Sequence, residues 1–507
     1  MAASVGTKAF RGIALLSGKA LITKVVGFAG QLVLASILTP DDFGLVGLAF
    51  SLAAFLAVTE RLGVRELMIH QQGRIRRWSN AAVWFSASIG LVSGTALLAV
   101  APIAAHAWGK PGLLPLIAVL ALALPFQTLV PALESHLEVN LRFKEITLVA
   151  LAAEVGRPLL AIAFAFGGLG AMSFILPRLI LAIGQAVALG TLVRPRLRRS
   201  PQFRRWPLFV SASTWFVLAT LCEIGILQGD YIVLGIVATT AQVGFYFFAF
   251  NQSSQVVQLF VTNIVRVLMP GLSTMRENPL AQVNAFVRAI RLLGMVAVPL
   301  GFLQAAAAGP FLRLIFADRW VESIAPLQVL SVAAVLVAMG GPATSLLVAQ
   351  KRLGTYFLTR LAGLVAFIII ITAGALIGHS YEHVTLGVAI GVLVFRLAYN
   401  PIVCWIACLP GSIAYWTLVW VFLKPAIGAG AAVAIASLAV AEIPPDAFSN
   451  GRVLEGVRLV VLGAVMAPPY LVWVWVAHRR QVNDLRHTLL PALRRTKPAP
   501  EGPPGHG

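Results

Sequence analysis

The chain has 507 residues, 59% of them hydrophobic and only 11% charged, with a mean hydropathy of +0.87. A soluble globular domain is nearer half apolar and a quarter charged, so this composition excludes an ordinary soluble fold and points to a membrane protein. The net charge of +20 fits basic loops beside anionic lipid and gives no reason to expect nucleic acid.

A membrane-crossing helix needs about 20 mainly apolar residues. In chain order, apolar spans are predicted near 13–38, 44–69, 80–108, 113–137, 146–168, 169–193, 207–237, 243–268, 284–315, 323–349, 354–378, 382–408, 415–440 and 455–477. The first reads as a retained helix, because no small-residue cleavage site precedes its end. The last is followed by a tail ending KPAPEGPPGHG, a Pro/Gly-rich composition that predicts disorder. The fold class expected is therefore an all-α polytopic membrane protein with about fourteen transmembrane helices.

Loop charge orients the chain. Alternate loops carry QQGRIRRWSN, NLRFKEI, RPRLRRSPQFRRW, TMRENP and AQKRLG, and the tail carries HRRQVNDLRH. The intervening loops TPDDFG, WGKPG, ATTAQ, ADRWVES, GHSYEH and AEIPPDAFSNGR hold far fewer Lys and Arg. The positive-inside rule then places both termini in the cytoplasm.

TPDDFG is the first outward turn, and its two acids invite a reading as a carboxylate site. Its echo argues otherwise. At an offset of 200, Leu34 matches Leu234, Thr39 matches Thr239, Gly44 matches Gly244, and Ala49–Phe50 match Ala249–Phe250. The echo has no acids. Thr39 fits an N-cap, Pro40 the first helical position, and Asp41 and Asp42 the first turn, where negative charge suits the helix dipole. Thr39–Asp42 and Thr239–Gln242 both have capping-box spacing. Gly44 and Gly244 permit close packing. A weaker correspondence links LEVNLRF to LVAQKRL. The echoes fall at the first and fourth helices of two six-helix lobes. Six is even, so the repeat is parallel, one of the ways transporters are built. The expected organisation is an N-terminal lobe over 1–193, a basic linker over 194–206, a C-terminal lobe over 207–408, two additional helices over 409–477, and a tail over 478–507.

An ionisable side chain at bilayer depth costs roughly 2.5–3.5 kcal/mol on insertion scales, so it normally faces protein or a water-filled cavity. Lys19, Arg65, Arg288 and Arg291 lie near cytoplasmic helix ends and can snorkel. Lys24, Arg61, Arg157, Arg178, Arg360 and Arg396 are deeper and are expected to line a substrate cavity. Such a cationic cavity suits an anionic passenger, such as a phosphate or pyrophosphate headgroup. Glu60, Glu154, Glu223 and Asp230 are candidates for ion coupling. Cys222, Cys404 and Cys408 sit in apolar runs and read as small buried residues, not metal ligands. There is no phosphate loop, no HExxH helix and no GxSxG elbow, so neither a cofactor nor a catalytic residue is expected.

Several stretches resemble the Wzx-type polysaccharide flippases of the multidrug/oligosaccharidyl-lipid/polysaccharide exporter superfamily. They are ILTPDDFGLVGLAFSL, LEVNLRFKEITLV, GDYIVLGIVATTAQVGFYFFAF, VRVLMPGLSTMRENPLAQVNAFVRAIRLL and FLRLIFADRWVESIAPLQVLSV, in family order over roughly residues 10–400. The resemblance implies two lobes in a V around a central cavity, alternating access, and no enzymatic activity. It implies movement of undecaprenyl-pyrophosphate-linked oligosaccharide to the outer leaflet of the bacterial inner membrane. The units then feed capsule, O-antigen or exopolysaccharide assembly. The partners it implies are that lipid, the surrounding membrane, and a polysaccharide polymerase with its chain-length machinery. A lipid II flippase and a multidrug or cation antiporter of the same superfamily are the alternatives. The excess of deep cations disfavours the antiporter.

Overall fold

The computed structural model describes residues 23–61, 64–70, 75–195, 200–211, 214–255, 278–380, 383–444, 448, 451–477 and 479. Every regular element among them is helical. In chain order these are α1 (Thr23–Ile37), α2 (Pro40–Leu56), α3 (Val64–His70), α4 (Ile75–Ala107), α5 (Leu113–Val139), α6 (Phe143–Phe166), α7 (Met172–Val193), α8 (Trp206–Ser211) and α9 (Thr214–Val237). Then come α10 (240–255), α11 (Pro279–Phe316), α12 (Ile324–Gly340), α13 (Pro342–Ala349), α14 (Leu353–Ser380), α15 (Val384–Cys408), α16 (Tyr415–Ala441) and α17 (Gly451–Ala477). Among the described residues, 12 helical segments are long and apolar enough to cross a membrane. α1 and α10 occupy the first and eighth expected positions, and the rest of each expected span lies outside the described residues.

Two predicted spans are not continuous helices. The one expected over 44–69 starts at Pro40, tightens into a 3-10 turn over Ala57–Arg61, and resumes as α3. Thr59 sits in that turn and its hydroxyl donates to the Leu56 carbonyl at 2.7 Å, offering the backbone a local alternative to the α-helical ladder. The span expected over 323–349 divides at Gly341 into α12 and α13.

The repeat has a physical basis at the start of α2 and α10. The Thr39 N–H donates to Asp42 Oδ2 at 3.0 Å, and the Asp42 N–H donates to Thr39 Oγ1 at 3.2 Å. Thr239 and Gln242 repeat both bonds at 3.0 and 3.2 Å. Each box satisfies two N–H groups that a helix start leaves orphaned, typically worth about 1 kcal/mol for the cap. One turn on, the two helices cross backbone to backbone. A methyl on Gly44 would strike the Thr240 carbonyl, and one on Gly244 would strike the Pro40 carbonyl. The echoed glycines therefore touch each other, a contact only residues without Cβ allow.

The same end of the bundle is held by two reciprocal clamps. Lys110, in the turn after α4, donates through Nζ to the carbonyls of Gly235 at 2.8 Å and Ala238 at 3.1 Å, at the C-terminus of α9. Arg319, in the turn after α11, donates to the carbonyls of Ser36 at 2.9 Å and Leu38 at 2.6 Å, at the C-terminus of α1. Each cation thus caps a helix of the opposite half, where orphan carbonyls and the helix dipole favour positive charge. A tryptophan accompanies each. Trp108 lies against Gly235, and Trp320 Nε1 donates to the Ala35 carbonyl at 3.0 Å. Burial pushes the Lys110 ammonium below the usual lysine range. Phe43, Phe248 and Trp320, all fully buried, close the space between. Their rings meet at 5.0 Å (Phe43–Trp320) and 4.4 Å (Phe248–Trp320).

In the N-terminal half, α4 packs on α5, α5 on α7 and α7 on α6. In the C-terminal half, α9 packs on α14, α14 on α15, α15 on α12 and α12 on α11. The last two helices pack on each other and on α11, where Tyr470 donates to the Met295 carbonyl at 2.9 Å.

Candidate functional site

α2 leads from the glycine crossing into the interior. Along it, Gly47, Phe50, Ala53 and Ala54, followed by Ala57, line a cavity of about 670 Å³. From Gly44 to Ala57 the chain runs about 20 Å at 1.5 Å per residue, so the cavity extends away from the clamped end. α1, α5, α6 and α7 form most of its wall, and α9 and α10 close it through Gln228, Tyr231, Phe247, Phe250 and Asn251. Both halves therefore contribute. Gln255 Nε2 donates to Gln31 Oε1 at 2.6 Å across them. Gly30 lets α1 approach Pro158 of α6, where a methyl would meet Pro158 Cβ at 2.6 Å.

Of the six cations predicted to line one cavity, three meet here. Lys24, Arg157 and Arg178 are all lining residues, and Glu154 joins them. Arg157 is exposed to the cavity space, whereas Lys24, Glu154 and Arg178 are half-buried. The Arg178 guanidinium stands 3.9 Å from the centre of the Phe50 ring. That geometry attracts a cation to the ring face. Phe174, Tyr231, Phe247 and Phe250 add apolar area. The lining thus offers a few fixed charges on a mainly apolar wall, the usual character of a small-molecule site.

Arg360 and Arg396 do not line this cavity. They are 7% exposed and face a separate space of about 50 Å³ in the C-terminal half, with Glu223, Tyr399 and Asn400. Their partners explain the difference. Arg360 donates to the Thr344 hydroxyl and lies 3.8 Å from the Glu223 carboxylate. Tyr356 donates to that same carboxylate at 2.9 Å. One helical stretch away, Asp230 is 1% exposed and accepts from the Tyr246 hydroxyl at 2.6 Å and the Tyr231 N–H at 3.0 Å. Arg396 lies within electrostatic reach of Asp230, Glu223 and Arg360. Two guanidiniums and two carboxylates thereby gather in one cluster, with Arg360, Arg396 and Asp230 buried and Glu223 partly exposed, opposite charges lying near the buried ones. Neighbouring α9 residues divide the two regions, Asp230 facing the cluster while Tyr231 lines the cavity.

The remaining predicted residues fall elsewhere. The side chains of Glu60 and Arg61 lie outside the described residues. Arg65, expected to snorkel, pairs with Glu138 at the end of α5, its Nε 2.9 Å from the carboxylate. Lys110 and Arg319 were unmarked in the sequence beyond their place in short loops. The available signal was a tryptophan beside a cation in the turns after the third and ninth spans.

Two matched helical halves around a basic cavity in a membrane bundle make up the architecture of a membrane transporter. The chain belongs to the polysaccharide biosynthesis protein family, whose model matches residues 33–325. It is 21% identical over 374 residues to the lipopolysaccharide biosynthesis protein WzxC of Escherichia coli, covering 73% of this chain and 75% of that protein. It is 21% identical over 288 residues to the succinoglycan biosynthesis transport protein ExoT of Rhizobium meliloti, covering 57% of this chain and 58% of that protein. Its fold matches the lipid II flippase MurJ in an inward closed conformation, with a TM-score of 0.69 at 13% identity over 92% of this chain and 100% of the other. An outward-facing MATE family transporter of the MOP superfamily matches at 0.52 and 15% identity, over 80% of this chain and 96% of the other. The resemblance to Wzx-type flippases of that superfamily is borne out.

Proposed function

We propose that this chain moves undecaprenyl-pyrophosphate-linked oligosaccharide from the cytoplasmic to the outer leaflet of a bacterial inner membrane, for polysaccharide assembly. The observation that carries the reading is the cavity holding Lys24, Arg157 and Arg178 with, among the described residues, one acid, Glu154. A pyrophosphate carries the charge and acceptor oxygens that guanidinium and ammonium groups recognise. Both termini are cytoplasmic in this reading, which rests on the loop charges. The clamped end is then the outer one, and the structure corresponds to the inward-facing half of an alternating-access cycle. Two lobes, 1–193 and 207–408, move about the α2–α10 crossing, and opening outward breaks the Lys110 and Arg319 clamps. Glu154, Glu223 and Asp230, with Glu60, are the carboxylates available for ion coupling.

Lipid II shares the pyrophosphate and the prenyl chain, and the fold match to MurJ makes it the second reading. The test uses purified protein in liposomes loaded with fluorescent undecaprenyl-pyrophosphate oligosaccharide, following transfer between leaflets. Transfer of this lipid in preference to lipid II supports the proposal. No transfer of either lipid, together with efflux of organic cations, overturns it in favour of an antiporter.

A further inference from the structure

A second basic pocket lies outside the central cavity and shares no residue with it. It encloses about 580 Å³ at the foot of the N-terminal half. Three separate stretches build it. The first turns of α4 give Arg77, Ser79 and Asn80, the end of α5 gives His136 and Asn140, and the chain leaving α7 gives Arg194 and Gln202. No carboxylate stands among its described lining residues.

That lack of acid is local. Just outside the pocket, Arg65 engages Glu138 and Arg142 engages Glu145 at 3.0 Å. Arg205 donates to the Arg77 carbonyl and, at 2.9 Å, to Gln202 Oε1, and covers the Trp78 ring at 5.0 Å. The guanidiniums of Arg77 and Arg194 have no such partner among the described residues, and both are exposed to the pocket. Two buried polar atoms behind them also lack partners, Ser79 Oγ (residue 3% exposed) and His136 Nε2 (residue 9% exposed). Buried polar groups are nearly always hydrogen-bonded, and the exceptions call for an explanation. The backbone is bent to form the wall as well. Arg194 (φ 45°) and Gln202 (φ 56°) are both left-handed without being glycine, a conformation L side chains seldom adopt.

We propose that this pocket binds a phosphate-bearing anion. Two forked cations with no acid opposite select an oxyanion over a neutral ligand. Basic pockets between helices at the cytoplasmic side of a membrane take anionic lipid headgroups for the same reason. A bound anion joins Arg194, on the segment that connects the two halves, to Arg77 on α4. It therefore adds to the contacts that already hold that connection to α4, among them the Asn80 side chain donating to the Ser200 carbonyl at 2.7 Å, Arg205, and Trp206 against Phe85. The ligand chemistry is a phosphate ester or diphosphate, supplied either by an acidic phospholipid of the surrounding leaflet or by a free anion of the aqueous phase.

The test uses the full chain in nanodiscs, with thermal melting and binding read together. One arm compares phosphatidylcholine discs with discs containing phosphatidylglycerol. The other adds inorganic pyrophosphate to phosphatidylcholine discs. Stabilisation by phosphatidylglycerol alone assigns the lipid as the source, and stabilisation by pyrophosphate alone assigns the free anion. The double variant Arg77→Gln/Arg194→Gln should bind roughly tenfold or more weakly, since two charged donors are lost. The variant Arg77→Lys/Arg194→Lys preserves charge and reports folding. It should bind at an intermediate level, because an ammonium lacks the fork. The control Arg142→Gln/Lys144→Gln removes equal charge outside the pocket and should bind like the wild type. If neither probe stabilises the wild type, or if the pocket variant and the control weaken binding equally, the pocket is not the site and the proposal falls.

Discussion

The N-terminal cavity and the C-terminal cluster begin from the same sequence signal, a positive charge deep in an apolar helix, and end as opposite environments. In the cavity, Lys24, Arg157 and Arg178 face Glu154 around about 670 Å³ of open space. In the cluster, Arg360 and Arg396 gather with Glu223, Asp230 and three tyrosines beside a space of about 50 Å³. A charge in low dielectric is tolerated when it is paired and hydrogen-bonded, or when water or an anion can reach it. The cluster sets two guanidiniums beside two carboxylates, whereas the cavity sets three cations beside one described carboxylate in open space. The excess of intramembrane cation over acid therefore belongs to the cavity. In the proposed function the cavity is the place for an anionic headgroup, and the cluster stands in the C-terminal half beside it.

The largest effect should come from breaking the sealed side. Asp230→Ala removes the acceptor of the Tyr246 hydroxyl and the Tyr231 N–H and leaves Arg396 beside one carboxylate fewer. Removing one partner of a buried charged network costs about 3–5 kcal/mol. The variant should lose monodispersity in detergent at a clearly lower temperature than the wild type. A melting curve that overlays the wild type would mean that the cluster is wet, and the contrast with the cavity would disappear.

A smaller energy, but a sharper distinction, is expected on the open side. Arg178→Gln keeps the shape of the site and removes the guanidinium over Phe50. Translocation of the pyrophosphate-linked lipid should fall about tenfold, which is about 1.4 kcal/mol. Stability should fall by no more than about 2 kcal/mol, the scale of a cation–π contact, and so less than for Asp230→Ala. Measuring leaflet transfer and melting on the same preparation separates the outcomes. If Arg178→Gln melts as early as Asp230→Ala, both regions are structural and the cavity loses its claim to the substrate.

What the sequence revealed follows from how far each signal reaches along the chain. The capping boxes at Thr39–Asp42 and Thr239–Gln242 were legible because donor and acceptor are three residues apart. The close approach expected at Gly44 and Gly244 was legible at each glycine, but not that the two meet, since that contact joins positions 200 apart. The depth of Arg360 is written in its own helix. Its partner Glu223 is on α9 and its hydroxyl acceptor Thr344 on α13, so one cavity of six cations could not be told from two sites. The clamps left the faintest trace. Lys110 and Arg319 are held by backbone carbonyls, which every residue carries.

The smallest effect tests whether the contrast is graded by burial or by charge balance. Glu223 is the open side of the cluster, its side chain 37% exposed against 9% for the Arg360 side chain it faces. Glu223→Gln keeps an oxygen to accept from Tyr356 but leaves Arg360 and Arg396 opposite Asp230 alone. If burial governs, the cost is that of a partly solvated ion pair, about 0–1 kcal/mol, because Arg360 retains the Thr344 hydroxyl and water can reach the vacated charge. Melting should then shift far less than for Asp230→Ala, and leaflet transfer should stay near the wild-type rate. If balance governs, the variant gives the cluster the cation excess of the cavity and should destabilise as strongly as Asp230→Ala. The double variant Glu223→Gln/Arg360→Gln separates the two further. It restores balance while removing a buried charge, so recovery of the wild-type melting temperature would show that pairing, not depth, keeps this side closed.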